Sequence, residues 1–204
     1  MRHILACRRG FTIVEVLVAS SVFLLILGVL VSTFYMSTNT MMKGTSQAGM
    51  LRDAQAFGRK LSNAIQYGSV ASLTIAADES GMSLLTSDNV NGKFRYDPAL
   101  STALWSDYQV FYYDSTAQEV RNPEISVIGS PEEATPGPIE NFGSAQPLNT
   151  YFTGGKPVLR NVTAATFREP IPGLVRVDID MARDDSRSDG PETFTFSLAR
   201  NFRN

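Results

Sequence analysis

From Phe11 to Val31 the chain carries a single charged side chain, Glu15, in an otherwise apolar run. Roughly 20 apolar residues in a helix cross the hydrocarbon core of a bilayer, so this run is long enough to be a transmembrane helix. Arg2, Arg8 and Arg9 precede it, and Lys43 is the first cation after it. That excess of positive charge places the N-terminus in the cytoplasm and the rest of the chain across the membrane.

A secretory signal peptide carries its apolar region ahead of a small-residue cleavage site. Here the plausible processing point, Gly10, comes before the apolar region. Cutting there leaves the helix on the mature chain and creates an α-amino group on Phe11. A carboxylate inside a membrane segment is costly and normally has a partner or a function. The Phe11 amine is the nearest candidate countercharge for Glu15, in the same chain or in a neighbouring one. The alternative is a carboxylate close enough to the interface to be hydrated, and the residues alone leave both readings open.

The stretch Arg8-Arg9-Gly10-Phe11-Thr12-Ile13-Val14-Glu15 closely resembles the class III signal of type IV prepilins and type II secretion pseudopilins. The resemblance implies cleavage after Gly10 by the prepilin peptidase and N-methylation of Phe11. It implies a subunit-to-subunit assembly role for Glu15, the fifth residue of the mature chain. Its partners would be other pilins or pseudopilins in a hetero-oligomeric filament or tip complex. The implied location is the bacterial inner membrane, with a periplasmic C-terminal domain. The implied fold is α+β and type IV pilin-like: a long N-terminal helix packed on an antiparallel β-sheet domain.

The chain has 204 residues, the size of one membrane-anchored domain. Three parts are expected: a cleaved basic leader over 1–10, a long helix over 11–67 and a β-rich domain over 68–204. The helix is apolar all round over about 11–34 and amphipathic over about 37–67. Met50, Ala54, Phe57, Leu61, Ala64 and Ile65 recur at spacings of three and four and form its apolar stripe. Gly68 is a natural stop. Gly44, Gly49 and Gly58 each weaken a helix by about 1 kcal/mol relative to Ala, which makes the Gly44–Gly49 stretch the place where this one long helix would bend or melt first.

Beyond Gly68 the period changes to two. Candidate strands are Val70–Ala76, Met82–Thr86, Phe94–Tyr96, Tyr108–Tyr113, Gln118–Arg121, Glu124–Ile128, Val158–Arg168, Leu174–Ala182 and Thr193–Ala199. Asn91-Gly92 is a turn signal. Val175, Val177, Ile179 and Met181 share one face, and Phe194, Phe196 and Leu198 form the inward face of the last strand. An antiparallel sheet with one wet face accounts for that alternation. Residues 129–155, rich in Pro, Gly, Ser and Glu, read as a long surface loop. No internal repeat stands out.

The residues offer little independent chemistry. Cys7 and His3 are the only ones of their kinds and both lie in the leader. Without histidine a mature chain has no ordinary base for a hydroxyl nucleophile, and without Cys or His zinc is disfavoured. Gly44-Thr45-Ser46-Gln47-Ala48-Gly49 has the wrong spacing for a nucleophile elbow. Gly154-Gly155-Lys156 lacks the rest of a phosphate loop. Asp184, Asp185 and Asp189, with Glu192, are weak calcium candidates: oxygen ligands suit that ion, but solvated turn residues explain them better. Trp105, Tyr108, Phe111, Tyr112 and Tyr113 sit beside Asp107 and Asp114 rather than basic residues, which favours core or subunit contacts over base stacking. Loss of Arg2, Arg8 and Arg9 leaves fifteen Lys and Arg against twenty Asp and Glu, a side-chain net of −5. An acidic exported domain does not match the basic field of a general nucleic-acid binder.

The order of elements after the helix is similar to that of J-type minor pseudopilins and W-type minor pilins. Tyr108-Gln109-Val110-Phe111-Tyr112-Tyr113 and Gly173-Leu174-Val175-Arg176-Val177-Asp178-Ile179 carry that similarity. K-type tip subunits usually lack the carboxylate that Glu15 supplies. The resemblance therefore implies a non-enzymatic minor subunit of a type II secretion pseudopilus or type IV pilus, without a cofactor. An adhesive or DNA-uptake module displayed on a filament is the alternative, with residues 129–155 as its variable surface.

Overall fold

The structure, a computed structural model, describes residues 11–87, 95–99, 101–183 and 191–202. The leader, the Asn91-Gly92 turn, Phe94 and the loop holding Asp184, Asp185 and Asp189 lie outside the described residues. The chain divides into two compact units after Thr45. A single helix, α1, runs from Ile13 to Gln66 over 54 residues, close to the expected span. It stays α-helical through Gly44, Gly49 and Gly58.

In the first unit the apolar side chains of α1 are exposed on every side. By length and composition the helix is able to cross a membrane. Its polar residues are adapted to such a medium. The hydroxyls of Ser20, Thr33, Thr38, Thr40 and Thr45 each donate to the carbonyl four residues earlier. A hydroxyl bonded back to its own helix needs no solvent partner.

In the second unit the same helix becomes one-sided. Met50, Ala54, Phe57, Leu61 and Ile65 are buried, as their spacing predicts, together with Ser46 and Gly58. Against this face folds a β-rich body: β1 (Thr74–Ile75), β2 (Gly81–Thr86), β3 (Tyr96–Asp97), β4 (Thr102–Ala103), β5 (Asp107–Asp114), β6 (Glu119–Asn122), β7 (Glu124–Ser126), β8 (Lys156–Arg160), β9 (Val162–Ile171), β10 (Leu174–Arg183) and β11 (Glu192–Asn201). Strands β1-β2-β5-β6-β8 form one sheet, with β7 also on β5; β11-β10-β9 form a second and β3-β4 a small ribbon. Every pairing is antiparallel. This is the α+β, pilin-like architecture that the sequence implies.

Several strand limits differ from expectation for visible reasons. The segment expected as a strand from Val70 is a short 3-10 turn over Val70–Ser72, leaving only β1 extended. Ser72 fixes that turn: its hydroxyl donates to the Ser69 carbonyl and accepts from the Leu85 amide. The expected strand Val158–Arg168 is two strands in different sheets. Asn161, at φ +59°, breaks it, and Asn tolerates that left-handed conformation better than most residues. Strand β4 has no counterpart among the expected strands.

The first sheet does not have a wet face. Met82, Leu84 and Phe111 point into the core formed with α1, where Phe57 meets Phe111 edge-on at 6.1 Å. The opposite face carries Leu85, Tyr108 and Val110, which pack with Val127, Ile139 and Leu148. Residues 129–155 supply the cover: they form a loop of turns and short 3-10 segments, exposed along most of its length, that buries Ile139 and Leu148 against this face. Two turns, Ile139–Asn141 and Leu148–Tyr151, each start after a proline and push an aliphatic residue inward. Tyr108 donates from its hydroxyl to the Gly137 carbonyl at 2.6 Å, and Tyr112 stacks on Phe152 at 5.0 Å. A Cβ at Gly81 would stand 2.5 Å from the Phe152 ring, so only glycine admits this ring. The second sheet does follow the one-wet-face expectation: Val175, Val177, Ile179 and Met181 are buried.

Two outcomes test this arrangement. Leu148→Ala is expected to cost about 2–5 kcal/mol, as for other buried leucines, in denaturant unfolding followed by Trp105 fluorescence; a loose surface loop would lose almost nothing. Burial foremost, then the charges of Glu132 and Tyr151, push the Tyr108 phenol up to about 12, against about 10 in an unfolded chain. The resulting stability is fully present below about pH 10 and is lost as pH rises toward about 12. Burial also raises Tyr112. Thermal melts should therefore fall steeply across that window, and Tyr108→Phe should flatten the fall.

Candidate functional site

The start of α1 is built by a local exchange of hydrogen bonds. Thr12 is the last residue before the helix, and its carbonyl accepts the first helical bond from the Val16 amide at 3.2 Å. The Thr12 hydroxyl accepts from the Glu15 amide at 3.3 Å. Glu15 reaches back, and its Oε2 accepts from the Thr12 amide at 2.9 Å and from the Thr12 hydroxyl at 3.0 Å. This reciprocal arrangement is a capping box, in which a Thr and a Glu three positions on satisfy each other's otherwise unpaired amides. The first-turn carboxylate also sits where the helix dipole favours negative charge.

Among the expected site residues, the structure thus brings Glu15 together with Thr12. Phe11 is 86% exposed immediately before the helix, and Gly10 lies outside the described residues. The sequence reading overlooked Thr12. The Thr-x-x-Glu pattern ahead of an apolar run was sufficient to find it.

The Thr12 amide belongs to the Phe11–Thr12 peptide bond, so cleavage before Phe11 would leave the box intact. Only Oε2 of Glu15 is engaged by Thr12. Its Oε1 has no hydrogen-bond partner among the described residues and remains able to accept from an amine.

Glu192, which the sequence groups with the calcium candidates, is the first residue of β11 and pairs in register with Arg183. Its side chain is buried, and both carboxylate oxygens lack a hydrogen-bond partner among the described residues. Asp184, Asp185 and Asp189 lie outside the described residues. No group of three His, Cys, Asp or Glu able to hold a metal occurs among the described residues. The aromatic stretch is core: Tyr108 and Phe111 are fully buried.

The model of the prokaryotic N-terminal methylation motif matches residues 5–31, a span that includes Gly10, Phe11, Thr12 and Glu15. The match supports a type IV pilin or pseudopilin, and with it a structural subunit processed by a prepilin peptidase and assembled with other pilins. The motif and the apolar helix together fit a membrane-anchored pilin. No curated protein and no solved structure matches the chain significantly.

The capping box is checked by Thr12→Val, which keeps the Thr12 amide but removes its hydroxyl. In detergent micelles the Glu15 amide should then exchange with solvent several-fold faster, while amides beyond the second turn of α1 keep their rates.

Proposed function

We propose that this chain is a minor structural subunit of a type II secretion pseudopilus or type IV pilus. It is held in the inner membrane as a single-pass protein, N-terminus cytoplasmic and β-rich domain periplasmic. The prepilin peptidase cuts between Gly10 and Phe11 and methylates Phe11, and the mature subunit then enters the filament or its tip. The observation that carries this reading is the joining of a methylation motif at residues 5–31 to a helix whose second half forms one wall of a β-sheet domain. The order of the downstream strands favours a J-type or W-type minor subunit.

Glu15 is proposed to serve assembly through the oxygen that the capping box leaves open. Once Phe11 is freed, its ammonium is a cation of the right chemistry for that oxygen on a neighbouring subunit. Such pairing is worth most in a medium of low dielectric, and it would set the axial register of helices that otherwise slide past one another on apolar contacts.

Display of an adhesive or DNA-uptake surface is the weaker alternative. The segment that would be its variable surface, residues 129–155, is anchored in the domain by Ile139 and Leu148.

Two variants separate insertion, processing and assembly. Glu15→Leu should still partition with membranes yet be missing from sheared filaments; recovery at wild-type levels would refute the register role. Gly10→Val should remain at precursor size on gels, and a mature-size band would place the cut elsewhere.

A further inference from the structure

The second sheet has two edges that are treated differently. Along the β9 edge the register with β10 shifts twice, Pro170 lies near the end of the strand, and the chain before β2 covers the side: the Phe167 amide donates to the Glu79 carbonyl, and Arg168 pairs with the Glu79 carboxylate. Among the described residues the β11 edge has none of these features. Ten residues of β11 pair with β10 in unbroken register. Among the described residues no strand pairs with the other side of β11. From Thr193 to Ala199 it has no proline and no charge. Folded proteins normally blunt such an edge, because unpaired amides and carbonyls invite another strand.

A groove of about 360 Å³ runs beside this edge, between β11 and the second half of α1. Phe196 and Leu198 line its apolar part, and Arg59 and Arg200 line it from the two elements. Gly58 allows the approach, since a Cβ there would stand 3.1 Å from the Phe196 ring. Arg95, Arg121, Arg160, Arg168 and Arg176 all have carboxylate partners. Arg59 and Arg200 have none among the described residues, and Arg200 donates only to the Ser62 hydroxyl at 3.2 Å. Among the described residues no acidic side chain lines the groove. On the outward face of β11, Thr195 and Ser197 hold Asp180 and Asp178, and Asp178 also pairs with Arg176.

We propose that the free edge of β11 and its groove accept an extended acidic segment of a partner protein, added as a fourth, antiparallel strand. Main-chain hydrogen bonds to Thr193–Ala199 supply affinity, and alternate side chains supply specificity. The inward-facing carboxylates of the segment meet Arg59 and Arg200, and the methylene stems of the same side chains lie over Phe196 and Leu198. This inference rests on the folded domain and not on the filament reading, so either stands if the other fails.

The test uses the full chain in detergent and a blocked decapeptide of alternating Val and Glu. Amide exchange should slow within residues 193–199 at one peptide per chain, and the corresponding Val-Lys decapeptide should leave those amides unchanged. Arg59→Glu combined with Arg200→Glu should weaken binding roughly tenfold, as expected for reversing partly exposed charge contacts. Its circular dichroism and melting temperature report that the fold is kept; Arg59→Gln with Arg200→Gln serves if the reversal unfolds the domain. Equal binding of both peptides, no binding, or full affinity in the charge variants would overturn the proposal. Concentration-dependent protection of residues 193–199 without peptide would also overturn it, by making a second copy of this chain the occupant.

Discussion

The β-rich unit depends on one stripe of a helix. Met50, Ala54, Phe57, Leu61 and Ile65 form a buried ladder on α1, and both larger sheets contribute to the core that covers it. Phe57 is its centre, meeting Phe111 of β5. Next to it, Gly58 lets Phe196 of β11 come close. Removing this stripe from water is the main gain available to the unit, and the strand order follows from the need to cover it. The first half of α1 has no such stripe. Its apolar side chains are exposed all round, and the hydroxyls of Ser20, Ser21, Thr33, Thr38, Thr40 and Thr45 donate to its own carbonyls, as suits a membrane segment.

Much of this was legible in the sequence because the signals are periodic. The three-and-four spacing of Met50 to Ile65 identified the buried face of α1. Alternation in Val175-Arg176-Val177-Asp178-Ile179 identified β10 and its single wet side. Residues 129–155 have the composition of a loop, which does not reveal the few anchors, Ile139 and Leu148, that they bury. Pro138-Ile139-Glu140-Asn141-Phe142 and Pro147-Leu148-Asn149-Thr150-Tyr151 share a Pro-aliphatic-x-x-aromatic pattern, which is the local signal that was missed. The first sheet is buried on both faces, so β2 reads as Gly-Met-Ser-Leu-Leu-Thr with no alternation. The division at Asn161 was also hidden: a single left-handed residue moves the chain from one sheet to the other without interrupting its apolar pattern.

At the functional end the sequence marked Gly10, Phe11 and Glu15, and the structure adds Thr12. Its amide and hydroxyl hold one oxygen of the Glu15 carboxylate, which gives an apparently orphaned charge a local partner. A carboxylate partly satisfied within its own helix is less costly to place in a membrane than a free one. Within the proposed mechanism, Glu15 would then exchange no existing bond on assembly, because the free oxygen would take the new partner.

On the proposed function, the chain matures by losing its basic leader while keeping its apolar helix. Mass spectrometry of the N-terminal peptide, from protein recovered from the membranes of a cell containing a prepilin peptidase, tests it directly. The expected peptide begins at N-methylated Phe11. A chain still beginning at Met1, or one cut after the apolar run, would contradict it.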